Sequence, residues 1–140
     1  MDLQKQKELR HMSTKEIAKK IRTNLKKEFG KNIKFSVRKK YEGSIYIEIK
    51  QCNKKYRMSK EEFLHQNRNY KISFENVEEF NKTYGKYFEE CFDYHTIKKE
   101  VRDKIDEIAN EFNFDNSDVM TDYFDYNYFC NIGGYDIEFI

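Results

Sequence analysis

Apolar residues in this chain change their spacing twice, and that change decides the class of fold. Ile17, Ile21, Leu25 and Phe29 recur every four residues, so they line one face of a helix. Ile45, Ile47 and Ile49 then alternate with polar neighbours, the period of a strand with one buried face. Ile97, Val101, Ile105, Ile108 and Phe112 return to the helical period. Each stripe must be buried against another element, and helices packed on a half-buried sheet make an α+β domain.

Local signals set the boundaries. Ser13 is placed to cap the first long helix, Glu16 completes a capping box, and Gly30 ends it. Phe35 and Val37 alternate with polar residues ahead of Tyr41-Glu42-Gly43, so two antiparallel strands are expected on either side of that turn. Ser59 and Glu62 form a second capping box, before a short helix around Phe63 and Leu64. Residues 70–74 read as a strand or an extended connection. Val77, Phe80, Tyr84 and Phe88 suggest a helix over residues 77–92, interrupted by Gly85. A closing hairpin is expected, with residues 128–132 and 135–140 joined at Gly133-Gly134, because paired glycines suit a turn that needs positive φ. With 140 residues, 12 Phe and 11 Tyr, the chain has length and apolar volume for one core. The expectation is a single α+β domain over residues 13–140. It would have an antiparallel sheet of about four strands in two hairpins, packed on three or four helices. Residues 1–12, polar and basic, read as a frayed, flexible arm or a short helical extension.

The formal net charge of +2 conceals a division. Residues 1–60 carry 19 Lys and Arg against 6 Asp and Glu, whereas residues 61–140 carry 8 against 19. After Lys104 there are nine acids and no Lys or Arg. No apolar run approaches the ~20 residues of a membrane span, and the N-terminus lacks a secretory apolar core. Cys52, Cys91 and Cys130 are odd in number and widely spaced, which argues for free thiols and a reducing cytoplasm.

Several patterns bear on chemistry. Glu48 and Lys50 project from one strand face, as in magnesium nucleases, but that chemistry needs a further carboxylate, and no Asp lies between Asp2 and Asp93. Asp115, Asp118, Asp122 and Asp125 would share one face if helical, among Tyr123 and Tyr126. That is either a solvated face or a protein-binding surface, and its spacing is not that of a calcium loop. Lys39-Lys40-Tyr41 and Lys54-Lys55-Tyr56-Arg57 set cations beside rings, as nucleic-acid-binding faces do, or form a solvated basic face. His11, His65 and His95 are scattered, and neither a nucleophile elbow nor a phosphate-binding glycine loop is present. No enzyme activity, metal or cofactor is expected.

Two stretches carry a resemblance. Thr14-Lys15-Glu16-Ile17-Ala18-Lys19-Lys20-Ile21-Arg22 with Leu25-Lys26-Lys27, the strand Ile33-Lys34-Phe35-Ser36-Val37-Arg38, and the strand from Gly43 to Ile49 form the first. Met120-Thr121-Asp122-Tyr123-Phe124-Asp125 lies in the second. Together they resemble the small domain associated with large polyvalent proteins of phages and conjugative elements. Lys50-Gln51-Cys52-Asn53 departs from the segment that follows the second strand in such relatives. Similar modules occur in inhibitors of type II CRISPR nucleases, so the resemblance implies a non-enzymatic inhibitor in a bacterial cytoplasm. Its partner would be Cas9 or its guide-RNA complex, whose nucleic-acid channels are basic. Asp115, Asp118, Asp122, Tyr123, Asp125 and Tyr126 would then act as a DNA mimic. Lys39, Lys40, Tyr41, Lys54, Lys55 and Arg57 would contact guide RNA or an acidic lobe. The rival expectation is a nucleic-acid-binding accessory module that uses the basic half directly.

Overall fold

The structure, a computed structural model, describes residues 2–66, 78–79, 82, 94–117, 120, 125–134 and 137–140. Among them are helices α1 (Leu3–Arg10), α2 (Thr14–Phe29), α3 (Lys60–Gln66) and α4 (Lys99–Ala109), and strands β1 (Ile33–Tyr41), β2 (Ser44–Cys52), β3 (Phe129–Gly133) and β4 (Glu138–Phe139). This is an α+β domain with a four-stranded sheet, as the apolar periods require. The expected helix over 77–92, the segment 70–74 and Cys91 lie outside the described residues.

Helix α2 forms where its caps place it. The Ser13 hydroxyl accepts from the Glu16 amide at 3.1 Å, and Gly30 closes the last turn with φ of 54°. Its apolar face packs on one side of the sheet, where Ile21, Leu25, Ile45, Ile47, Ile49 and Ile105 are fully buried in one core with α4. Strands β1 and β2 pair antiparallel from Ile33–Cys52 to Tyr41–Ser44. Burial pushes the Cys52 thiol up to about 11 and that of half-buried Cys130 up to about 12, so both stay protonated at neutral pH.

The second hairpin does not form. Both β3 and β4 run parallel to β2, pairing with Ser44 to Glu48 and with Gln51 and Cys52 respectively. Because β1 occupies the other side of β2, they follow one another along the same edge. The reason lies in the glycines: among the described residues only Gly30 and Gly43 have positive φ, so Gly133 and Gly134 make no primed turn. Gly134 serves close approach instead. A Cβ there would stand 2.8 Å from Ile137 Cγ1 and 3.3 Å from the Ile49 carbonyl.

For the N-terminal segment it is the helical alternative that the structure shows, with residues 3–10 forming α1 where a frayed arm was the other expectation. Asp2 caps it by accepting from the Lys5 amide at 2.8 Å, and Leu9 is buried. Arg10 donates to both carboxylate oxygens of Asp125 at 2.7 and 2.8 Å while its guanidinium lies 4.6 Å over the Phe114 ring. Gln6 and Asn116 exchange amide hydrogen bonds beside this pair. A frayed arm would have left these polar groups to water; here they meet partners more than a hundred residues away.

Candidate nucleic-acid interface

Arg38, Lys39 and the α2 cations sit on different elements, and folding joins them. On α2, Lys15, Lys19, Arg22 and Lys26 follow at intervals of four, three and four, a single helical stripe. That stripe faces the outer edge of β1, which among the described residues pairs with β2 alone. Two clefts lie in the seam, of about 430 and 480 Å³. Lys15, Lys19, Arg38 and Lys39 line the first, and Lys26, Lys31 and Lys34 the second, over Ile33 and Phe35. Arg22 lines both, so the two clefts lie end to end along the seam and together form a groove crossed at Arg22. Its guanidinium donates to the Val37 carbonyl at 2.5 Å, tying helix to strand edge. Eight cations thus line a groove about as long as α2, roughly 24 Å at 1.5 Å per residue, and Glu16 is the one acid in its lining.

A groove of this kind does two things. Its clustered positive charge attracts polyanions, and its low-dielectric walls focus that field. Its Arg22 also occupies the Val37 carbonyl on the outer edge of β1, a group otherwise open to pairing with another strand.

The expected basic face is divided by the sheet. Lys39, Lys40 and Tyr41 stand at the turn end of β1, whereas Lys54 and Lys55 follow the far end of β2 in a 3-10 turn. Eight residues of strand separate the two groups, on the order of 25 Å. Lys39 is ion-paired with Glu42, whose carboxyl is held below its usual range by that bond and by Thr14. Lys40 lies 5.9 Å from the exposed Tyr41 ring. Lys55 lies 5.1 Å over Tyr56, itself packed edge-on against Phe29 at 6.4 Å. Arg57 stacks 4.5 Å over Phe139 and pairs with Ile97 through an isolated bridge, a position inside the fold's own framework.

The acidic residues do not share a helical face where they are described. Asp115 and Tyr126 form an antiparallel bridge, and the Asn116 amide donates to the Asp125 carbonyl at 2.7 Å, so the run is pinched at its neck. Asp125 is held below the usual carboxylate range by Arg10 and then by Asn116, and its charge is already matched. Asp115 is lowered by hydrogen bonds from Ser117 and remains exposed, as does Tyr126. Asp118, Asp122 and Tyr123 lie outside the described residues. Glu48 accepts from Lys50 at 3.0 Å, and among the described residues no three His, Cys, Asp or Glu side chains gather as a metal site.

Of the eight groove cations only Lys39 was an expected site residue; Lys15, Lys19, Arg22, Lys26, Lys31, Lys34 and Arg38 were passed over. The signal was present in the stripe on α2, but nothing local says which strand edge it will meet.

Residues 12–103 match the model of large polyvalent protein associated domain 29. The chain belongs to this family. The match covers the whole basic groove, from Lys15 to Lys39, and supports an association with phages and mobile elements. It stops inside α4, so the Arg10–Asp125 pair, β3 and β4 lie outside the matched segment of this associated-domain chain. No curated protein and no solved structure matches the chain. No described helix is long and apolar enough to cross a membrane.

The Arg10–Asp125 pair makes a pH-dependent clamp on α1. Because the folded Asp125 carboxyl titrates below its ordinary value of about 3.9, the clamp is complete above that pH and is lost as pH falls through the lower folded value. Amide protection in residues 3–10 is expected to weaken once pH drops below the ordinary carboxylate value and to be lost as it passes through the lower folded one. Asp125→Asn should give the same loss at neutral pH, read by hydrogen exchange against the unchanged protection of α2.

Proposed function

We propose that this polyvalent-protein-associated domain is a non-catalytic nucleic-acid-binding module of phages and mobile elements. The observation that carries the reading is the groove between α2 and β1, lined by eight cations and one acid, with Lys39 the one of the eight that is ion-paired among the described residues, to Glu42 outside the lining. Phosphate binding by Lys and Arg releases condensed counterions, so affinity should fall linearly in log–log form with salt. Titrating labelled DNA and RNA oligonucleotides at several salt concentrations tests it. Salt-independent binding, or none at low salt, overturns it.

A second reading is direct inhibition of a Cas9 nuclease, the function implied by resemblance. Asp115 and half-exposed Tyr126 favour it, as an acid and a ring presented together at the neck of the 115–126 segment. The neutralisation of Asp125 by Arg10 weighs against a DNA mimic built on the full run of acids. The basic groove offers this reading another contact, with guide RNA. Target cleavage by Cas9–guide complexes at several-fold molar excess of the domain decides it, and undiminished cleavage removes it.

A further inference from the structure

The face of the sheet turned away from α2 carries large apolar side chains that the core does not use. Tyr41 is 68% exposed and Phe129 is 58% exposed. Their strands place them together: Tyr41 pairs with Ser44 in β2, and Ser44 pairs with Phe129 in β3. Paired residues share a face, so the two rings flank a small serine on three neighbouring strands, roughly 10 Å apart across two strand spacings. One row along, Arg38, Tyr46 and Asn131 are paired in the same way, and the Arg38 guanidinium lies 5.1 Å over the Tyr46 ring.

The positions of both rings are held from below. Thr14, buried at the start of α2, accepts from the Gly43 amide at 2.7 Å and donates to the Glu42 carboxylate at 3.0 Å. Gly43 takes the positive φ of 76° that the turn requires. The Phe129 amide then donates to the Gly43 carbonyl at 2.7 Å, fastening β3 to the same turn. The backbone beneath two exposed aromatic rings is therefore held by a turn anchored to the core. Exposed rings on a held backbone can serve as stacking platforms, and these are sequence-tolerant because every base has a π-face.

Charge names the occupant. Arg38 both lines the groove and stacks on this face, and Lys39 and Lys40 lead from the groove to Tyr41. Glu42, the acid at the turn, is taken by Lys39. A polyanion leaving the groove at Arg38 therefore reaches the two rings along a cationic path. In a duplex the base faces are stacked on one another and closed to such rings, whereas a single strand presents them. We infer that the Tyr41–Phe129 end of this sheet face binds the bases of a single-stranded nucleic acid, stacking them on the two exposed rings while the groove holds the backbone. This rests on the groove being a nucleic-acid interface, and it adds strand state and base contact to that reading.

The test compares a labelled oligothymidylate with a duplex of equal length, using the full chain. The wild type is expected to bind the single strand more tightly. Tyr41→Ala and Phe129→Ala should each weaken single-strand binding about tenfold, with the slope against salt and the duplex affinity unchanged. Tyr41→Phe, which keeps the ring, should bind as the wild type. Both residues are exposed, and circular dichroism with thermal melting checks that the variants fold. Equal affinity for both ligands, or alanine variants that bind as the wild type, overturns the inference while the groove reading stands. Absence of binding to either ligand at low salt overturns both.

Discussion

Replacing Lys19, Lys26 and Lys34 together by glutamate is expected to reduce nucleic-acid affinity on the order of 100-fold at moderate salt. All three side chains are exposed groove residues, so the core stays intact. Each reversal removes a phosphate partner and adds a like charge facing the backbone. The slope of log affinity against log salt should fall by about 0.7 for each single-strand phosphate released, or about 0.9 for each duplex phosphate. Arg22 is left in place because its bond to the Val37 carbonyl ties α2 to β1. Changing it would confuse loss of binding with loss of structure. Reversal of Lys54 and Lys55, exposed at the far end of the sheet, is the control and should change affinity far less. An equal loss in the control would mean that net charge, not the groove, carries binding.

Tyr128→Ala is expected to destabilise the fold by about 3–5 kcal/mol, a large share of the stability of a domain this size. Tyr128 is 1% exposed and joins parts of the fold that no helix or strand links. Its hydroxyl donates to the Ala109 carbonyl at 2.6 Å, meeting an acceptor at the end of α4. Asn113 brackets its backbone, accepting from the Tyr128 amide at 3.2 Å and donating to its carbonyl at 2.9 Å. Burial pushes the phenol well above its ordinary pKa, so it remains a donor across the accessible pH range. Tyr128→Phe keeps the ring and leaves the carbonyl without this partner, at about 1–3 kcal/mol. Urea unfolding of the three proteins separates ring packing from hydrogen bond. Equal losses for Phe and Ala would show that the ring contributes little.

The features legible in the sequence are those decided within a turn or two of chain. The stripe from Ile17 to Phe29, the Ser13 cap and the Gly30 stop describe α2 nearly to the residue, because all act through backbone groups close by. The alternation of Ile45, Ile47 and Ile49 places β2 in the core, and the α+β class follows from burying both periods together. The charge division was equally plain, but its meaning was not. Part of it cancels in space, where Arg10 of the basic half meets Asp125 of the acidic half. Part of it survives as the groove, because α2 crosses the bare edge of β1 and adds its own cations to those of the strand.

Tertiary structure alone decided three things, each for the same physical reason. That β3 and β4 each pair with β2 and not with one another depended on the edge that β1 left free, a choice with no signature in residues 128–140. The seating of α1 depended on a carboxylate 115 residues away. Tyr41 and Phe129 became neighbours because both pair around Ser44. Hydrophobic period and capping act locally and are written along the chain. Edge pairing and charge partnership depend on which surfaces are left when the core has closed, and that is known only once it has.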